Sequence, residues 1–313
     1  MAIFVRPSGT APPGGGINPP PLAPVEVPNL SWTDRRGRTT LLSDSENGWL
    51  LQPGVRGLDL PSFDFYTDES PQIDGNALRG ARAQAREIFL PVVFFDTDRN
   101  SFLARKRSFM ASLNPKLGLG MLTLTEADGS ARTIEAYYAS GLEGDFGDTV
   151  SGLHWQVVGL TFSCPSPYWL GDHIMRTFAN GTTGNFFPVQ FPVGVQDSQV
   201  LGNTTIDNPG DAESFPIWTI HGPATSAVIS NTTTGQSFSV TASLGSSDVL
   251  VVDTRERVQT AVLNGSTNWW PNLATTSELW ALDPGENAVS LALVGATSAT
   301  VVQVDYQPRF LSA

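Results

Sequence analysis

Glycine and proline interrupt this chain so often that long helices have little room to form. The 313 residues include 30 glycines and 23 prolines. Proline lacks a backbone N–H and glycine favours turns, so both residues are typical of the ends of short strands. The chain is therefore predicted to be mainly β, and its length suggests two domains with a core each.

One helix is predicted, over residues 98–114. Its apolar residues, among them Phe102 and Phe109, recur at helical spacing. Asp98 is a suitable N-cap because its carboxylate accepts from free backbone N–H groups, and Pro115 stops the helix.

Strands are predicted on both sides of this helix. The stretch REIFLPVVFF, residues 86–95, is almost continuously apolar, which predicts a strand buried on both faces. Pro91 within it indicates a bulge or an edge. A hairpin follows the helix, with arms at residues 121–126 and 131–139 and a turn at Asp128-Gly129.

Two further strands are predicted in this half. Phe63 and Phe65 alternate with polar neighbours in LDLPSFDFYTD, which predicts a half-buried strand after a break at Pro61. A long strand over about residues 152–163 runs into the sequence CPSPYW. Its prolines cannot donate ladder hydrogen bonds, so the first domain is expected to end there.

The N-terminal segment, residues 1–28, has a composition of its own. It holds eight prolines and four glycines, so it cannot build a core alone. Two interpretations stay open: a flexible tail, or an arm that lies on a neighbouring subunit. The predicted domains are this arm, a first domain over 29–172, a connector over 173–206 and a second domain over 207–313.

The second domain has short apolar strands separated by turn signals every 8–12 residues. This pattern is typical of a β-sandwich or jelly roll.

Charge and composition exclude several classes of protein. The net charge is −12, whereas stable nucleic-acid binding and anionic membranes both favour a basic face. A single cysteine excludes an intrachain disulfide framework and Cys-rich zinc sites. No secretory signal and no run of about 18 apolar residues is apparent, so membrane insertion is not expected.

Catalytic and metal motifs are weak in this sequence. The three histidines stand apart, and no nucleophile elbow or zinc-protease motif occurs. Cys164 has no basic neighbour in sequence and is expected to be a buried, inert thiol. Glu143, Asp145 and Asp148 form an acidic cluster, but calcium loops need more oxygen ligands at fixed offsets. No catalytic, metal or cofactor site is predicted.

Opposite charges are segregated along the first domain. Residues 79–116 carry eight basic and three acidic side chains, a net of +5, and residues 126–148 carry six acidic and one basic, a net of −5. These blocks either pair within one subunit or join subunits head to tail, which closes a ring if the rotation permits. The candidate interface residues are Arg79, Arg82, Arg86, Arg105, Lys106, Arg107, Glu143, Asp145 and Asp148.

Adjacent tryptophans, Trp269 and Trp270, follow a turn signal at Asn264-Gly265. Exposed aromatics on a β-sandwich loop stack on sugar rings or anchor a protein partner. The alternative is that they close the end of the sandwich core.

The order of these segments resembles that of siphophage distal tail proteins. The resemblance is carried by DGNALRGARAQAREIFLPVVFF, by the helix and hairpin over residues 98–145, by LHWQVVGLTFSCPSPYWLGD and by DNPGDAESFPIWTIHGP. It covers most of residues 30–223 and rests on shared order rather than on one specific motif.

The resemblance implies a structural virion protein at the phage tail tip, made in the host cytoplasm. It implies a ring, usually hexameric, built by an N-terminal β-sandwich with one helix and a projecting hairpin. A galectin-like or carbohydrate-binding-module-like sandwich follows on the outside. The implied partners are the tail tube, the tape-measure protein, the tip hub, and side fibres or receptor-binding proteins, and the lumen passes DNA.

Two other functions remain open from the sequence. One is a carbohydrate-binding adhesin that acts through the second domain, with Trp269 and Trp270 as contacts. The other is a tail-associated hydrolase, for which no motif is recognisable.

Overall fold

The structure of this protein is a computed structural model, and it describes residues 28–69, 74–144, 154–179, 198–200 and 202–313. The chain divides into two compact units. The first comprises Met1–Pro167 with Ser312–Ala313, and the second comprises Tyr168–Leu311.

The first unit contains nine strands and one α-helix in its described part. These elements are β1 (Asn29–Thr33), β2 (Thr39–Leu41), β3 (Trp49–Leu51), β4 (Phe63–Glu69), β5 (Asn76–Ala83), β6 (Arg86–Phe95), α1 (Arg99–Ser112), β7 (Gly120–Thr125), β8 (Ala131–Ser140) and β9 (Trp155–Cys164). A short 3-10 turn at Pro115–Leu117 follows the helix.

The second unit is built from short strands. Its strands are β10 (Trp169–Leu170), β11 (Ile174–Ala179), β12 (Ser198–Val200), β13 (Asn203–Asn208), β14 (Ile217–His221), β15 (Ser226–Asn231), β16 (Gln236–Val240), β17 (Val249–Asp253), β18 (Thr260–Leu263), β19 (Thr267–Asn268), β20 (Gly285–Val294), β21 (Val301–Tyr306) and β22 (Arg309–Phe310). A 3-10 turn at Trp270–Asn272 links β19 to the segment before β20.

Seven strands of the first unit form one sheet that folds over its own core. Their order is β2-β1-β7-β8-β9-β6-β3. Trp32 of β1 and Phe162 of β9 are three places apart in this order, yet their ring centroids lie 4.8 Å apart. The sheet therefore bends between these strands, and β8, which lies between them, has a register shift between Tyr138 and Ser140. The predicted N-terminal sandwich is therefore made from a single folded sheet.

The predicted helix is confirmed. The Asp98 side chain accepts from the backbone N–H groups of Asn100 and Ser101, which caps the first turn. Phe102 and Phe109 are buried and lie over the sheet, with the Phe102 ring 5.3 Å from that of Phe94. The helix thus packs its aromatic side chains against the first core. The hairpin around Asp128-Gly129 is also confirmed, as β7 and β8.

Strand β6 differs from its prediction in one respect. Residues such as Ile88 and Phe94 are completely buried, whereas Phe89 and Val93 on the other face are only partly covered. The expectation of burial on both faces was wrong for the isolated subunit, because continuous apolar sequence does not say what covers the second face. Strand β6 lies between β9 and the edge strand β3, and Pro91 lies just outside the part of β6 that pairs with β3.

Strands β4 and β5 form a separate two-stranded hairpin. The prediction of a half-buried strand around Phe63 and Phe65 was wrong, because Phe65 is 65 % exposed. No other strand of the described chain pairs with this hairpin. It is therefore a separate sheet within the described part of the first unit.

The second unit is a β-sandwich of a seven-stranded and a four-stranded sheet. Their orders are β12-β11-β21-β14-β17-β18-β19 and β13-β20-β15-β16. Trp218 and Trp280 meet edge to face in the core with centroids 5.4 Å apart, and Phe238 lies against Trp218. This agrees with the sandwich predicted from the strand pattern. Within residues 173–206, strands β11, β12 and β13 are built into these sheets.

Among the described residues, no helix has the length and apolar character needed to cross a membrane.

Candidate interaction surfaces

The basic side chains of the β4–β5 hairpin are paired within the hairpin itself. Arg79 forms an ion pair with Asp68 at 2.6 Å, and Arg82 forms one with Asp64 at 3.1 Å. All four groups are exposed or nearly so, and such pairs contribute little to stability. Their consequence is that this face of the hairpin carries almost no uncompensated charge.

Arg86 is buried, with only 3 % of its surface exposed. Its guanidinium donates to the carbonyl oxygens of Gly57, Leu58 and Pro167 at 2.9–3.0 Å, and also to that of Asp59. Burial lowers the pKa of this side chain from its ordinary value. Arg86 therefore holds the loop before the hairpin within its own subunit, and the structure argues against an interface role for it.

Three adjacent basic residues in the middle of α1 divide into two groups. Arg105 pairs with Asp96 at 2.9 Å, and the Lys106 ammonium donates to the Gln156 side chain at 2.7 Å. Both are partly covered, so they fasten the helix to the first unit. Arg107 is exposed, and within the described part of the chain it forms no ion pair. Of these three residues, Arg107 is the best placed to meet another molecule.

Glu143 supports its own loop. Its carboxylate accepts from the backbone N–H of Gly141 at 2.9 Å and from the Tyr138 hydroxyl at 3.3 Å. The bond from Gly141 is the main reason that the pKa of Glu143 lies below its usual value. Asp145 and Asp148 lie outside the described residues. The predicted acidic block therefore stays a prediction.

The β4–β5 hairpin has two different faces. Asp64, Tyr66 and Asp68 alternate with Phe63, Phe65 and Thr67 along β4, so they point the opposite way. The face of Phe63 and Phe65 also carries Leu78, Ala81 and Ala83 from β5, according to the strand register. We call these five residues the apolar face; Glu69, at the end of β4, lies on the same side of the hairpin. Strand β5 was not predicted from the sequence. The signal for it is the turn pair Asp74-Gly75, where Gly75 has a φ of 85°.

A groove lies at the end of α1. It has a volume of about 440 Å³ and is lined by Met110, Ala111, Leu113, Asn114, Pro115, Tyr138 and Leu142. None of these seven side chains carries a formal charge at neutral pH. We call this surface the helix-end groove. Met110 on its rim is 42 % exposed.

The two adjacent tryptophans have different environments. Trp269 is partly buried and packs against the core of the second unit. Its indole N–H is buried, and no residue of the described chain accepts from it. Trp270 is 45 % exposed and lines a cavity of about 260 Å³ with Pro271, Leu273 and Ser277. A contact role is therefore open to Trp270, whereas Trp269 closes the end of the core.

A buried network fixes the start of the second sandwich. The Asn208 side chain donates to the carbonyls of Ala212 and Leu282, and it accepts from the Gly210 N–H and the Ser214 hydroxyl. All hydrogen-bonding groups of this buried amide are satisfied. The segment DNPGDAESFP is thus structural. So is Tyr168 of the Pro-Tyr-Trp sequence, whose ring lies 4.0 Å from the Arg309 guanidinium.

Two observations in the described part of the chain concern catalytic and metal-binding side chains. No group of three or more His, Cys, Asp or Glu side chains is arranged to hold a metal ion there. Burial raises the pKa of the Cys164 thiol to about 12, so it is protonated at neutral pH. A thiol in that state is a poor nucleophile.

Comparison with known proteins gives the family relation of the second unit and the fold relation of the whole chain. Residues 209–310, about a third of the chain, match the family described as the C-terminal domain of a siphovirus-type tail component. The crystal structure of Dit (gp 19.1) of phage SPP1 superposes with a TM-score of 0.64 at 18% identity. That match covers 91% of this chain and 100% of Dit. The fold of the chain is Dit-like.

The Dit-like fold extends to a second phage. The baseplate of phage P2 in its activated, Ca-bound conformation contains a chain that matches with a TM-score of 0.50 at 9% identity. The match covers 90% of this chain and 98% of that chain. No curated protein matches the sequence at a significant level. The resemblance seen in the order of sequence segments is confirmed, and so is the mainly β fold.

Proposed function

We propose that this Dit-like protein forms a ring at the distal end of a long, non-contractile phage tail. The ring joins the tail tube to the tip hub and to the proteins that recognise the host. Its role is structural, and it belongs in the virion, at the tail tip, after synthesis in the host cytoplasm. Six copies are the stoichiometry that the resemblance favours.

One observation carries this proposal. The chain follows the SPP1 Dit fold over 91% of its own length and all of that protein's length, while its last third matches a tail-component domain. The SPP1 protein is described as a paradigm of the hub adsorption apparatus. A chain that shares this fold over nearly its whole described length is suited to the same structural task.

The partners follow from that position in the tail. We propose contacts with the tail tube protein, the tape-measure protein and the tip hub protein, and with side fibres or receptor-binding proteins on the outside. The lumen passes DNA, and the net charge of −12 suits this because a basic lumen would retain phosphates.

The ring is tested by imaging the purified protein with negative-stain electron microscopy while light scattering measures its mass. Rings with a central hole and a mass of six subunits are the expected result. A mass of one subunit at every concentration, together with no binding to purified tail tubes, contradicts the proposal.

A second candidate function is carbohydrate binding by the second unit, favoured by the exposed indole of Trp270 beside a cavity. A glycan array probed with the full chain tests it. Loss of binding in Trp270→Ala with an unchanged melting temperature supports a sugar site. Trp269→Ala is the control, because its side chain packs on the core and its loss lowers the melting temperature. No bound glycan on the array rejects this candidate.

A further inference from the structure

The turn between β1 and β2 is held in shape by its own aspartate. Its sequence is DRRGR, residues 34–38, and Gly37 has a φ of 80°. Asp34 is buried, and its carboxylate accepts from the backbone N–H groups of Arg36 and Arg38, each at 2.9 Å. The backbone of this turn is therefore fixed by contacts within the subunit.

The same aspartate neutralises only one arginine of the turn. The Arg38 guanidinium donates to Asp34 through Nε at 2.8 Å and pairs with it through Nη2 at 2.7 Å. Arg35 and Arg36 are exposed, and neither forms an ion pair with another residue that the structure describes. The turn thus presents two positive charges to solvent, in a chain whose net charge is −12.

A third exposed cation lies beside this turn. The Arg35 side chain passes Gly118, because a methyl group placed on Gly118 would lie 3.8 Å from Arg35 Cγ. Lys116 belongs to the 3-10 turn Pro115–Leu117, just before Gly118. It is exposed and has no ion-pair partner among the described residues. We call Arg35, Arg36 and Lys116 the basic rim.

The basic rim borders the helix-end groove. Pro115, which lines the groove, is the residue before Lys116. The groove has a volume of about 440 Å³, and its lining carries no formally charged side chain. A ligand that extends from the groove to the rim therefore meets an apolar surface at one end and positive charges at the other.

We propose that the basic rim and the helix-end groove together bind a short acidic segment of another tail protein. Carboxylates of that segment pair with the rim, and one of its apolar side chains enters the groove. Charge complementarity favours this occupant over a second apolar surface, since an apolar surface would leave the cations of the rim unpaired. The inference rests on the proposed place in the tail for the source of the partner, and not on the ring.

Nucleic acid fits this surface less well. Proteins that bind duplex DNA tightly neutralise about six to ten phosphates. The rim supplies three cations, and the net charge of −12 repels a long polyanion. A few carboxylates of a short protein segment match the charge of the rim more closely.

Two fluorescein-labelled peptides test the two parts of the surface. One peptide contains only glutamate, and the other has the same length with one phenylalanine at its centre. Fluorescence anisotropy with the full chain at about 50 mM salt should detect binding of both peptides, with the phenylalanine peptide binding more tightly. About 500 mM salt should weaken both interactions, because it shortens the Debye length around exposed charges.

Two double variants that remove the same formal charge locate the binding. Arg35→Gln with Arg36→Gln removes two charges of the rim. The matched control is Arg79→Gln with Arg82→Gln, which removes two exposed arginines that are paired on the β4–β5 hairpin. The rim variant should bind the glutamate peptide at least about threefold more weakly, whereas the hairpin variant should bind it as the unmodified protein does. Ala111→Trp, which fills the groove, should remove only the advantage of the phenylalanine peptide.

The alternative results each contradict the inference. Equal weakening by the two double variants overturns the site, because binding then follows the net charge of the protein. No binding of either peptide at about 50 mM salt overturns it as well. A duplex DNA oligomer that binds more tightly than both peptides, and loses affinity in the rim variant, assigns the rim to nucleic acid in place of an acidic protein.

Light scattering on the same variants separates this surface from the ring. Rings in the rim variant, together with weaker peptide binding, support a partner other than a second copy. Monomers in the rim variant, at a concentration at which the unmodified protein forms rings, assign the rim to a contact between copies and overturn the inference. Monomers in the unmodified protein contradict the proposed ring and leave the peptide result unaffected.

Discussion

At the scale of single residues, Arg86 shows that a charged residue in a basic stretch of sequence need not be exposed on the surface. It belongs to a block with a net charge of +5, which suggested an interface, but it is buried and donates to four backbone carbonyls. Sequence supplies the charge and its neighbours along the chain. It does not supply the loop carbonyls of residues 57–59 that surround the guanidinium in space.

Arg86→Met is expected to lower the free energy of unfolding of the first unit by roughly 1–3 kcal/mol, because buried carbonyls lose their donor. Urea unfolding followed by tryptophan fluorescence measures this change. Arg79→Met is the matched control, since its ion pair is about two-thirds exposed, and it is expected to cost less than about 1 kcal/mol. Equal effects of the two substitutions on the free energy of unfolding would contradict the proposal that Arg86 holds the loop of residues 57–59.

Cys164 predicts a dependence of stability on pH. Burial raises its pKa from 9.0 to about 12 in the folded chain, so folding favours the protonated thiol. The contribution of this burial is complete below pH 9 and is lost as the pH rises toward 12. Between pH 8 and 10, the unmodified protein should lose about 1 kcal/mol more stability than Cys164→Ala. Parallel pH curves for the two proteins in urea unfolding would show that the thiol is accessible to solvent.

At the scale of elements, the sequence predicted the helix and the hairpin whose signals lie within a few residues of each other. Helix α1 was found because its apolar spacing, its cap at Asp98 and its stop at Pro115 agree. The β7–β8 hairpin was found from Asp128-Gly129. The burial of strand β4 was predicted wrongly. The alternation around Phe65 indicates which side chains share a face, but it does not indicate whether another element covers that face.

The basic cluster on α1 predicts different effects for neighbouring arginines. Arg107→Glu should weaken ring assembly at about 50 mM salt more than at about 500 mM, because an exposed charge acts over a Debye length that salt shortens. The melting temperature of the subunit should not change. Arg105→Glu should lower the melting temperature at both salt concentrations, since it breaks the ion pair with Asp96. If the Arg107→Glu variant assembles normally at both salt concentrations, Arg107 on α1 is not part of a charged interface between subunits.

At the scale of the whole molecule, the sequence indicated two domains but not where each begins. The stretch between them seemed to be a connector because Gly, Asn and Thr interrupt it. Its strands β11 and β13 nevertheless join the two sheets of the second unit, through pairing with β21 and β20. These partners follow β11 and β13 by more than 70 residues in the sequence, and pairing over such separations has no local signature.

Each unit has its own aromatic core, so substitutions in one core should affect one unfolding transition. Trp32 packs against Phe162 in the first unit, and Trp280 packs against Trp218 in the second. Replacement of either buried tryptophan by alanine is expected to cost its unit roughly 3–5 kcal/mol. Differential scanning calorimetry should then show two transitions, of which Trp32→Ala lowers one and Trp280→Ala lowers the other. If both substitutions shift a single shared transition equally, the two units unfold as one cooperative structure. A substitution in either core then lowers the stability of both units.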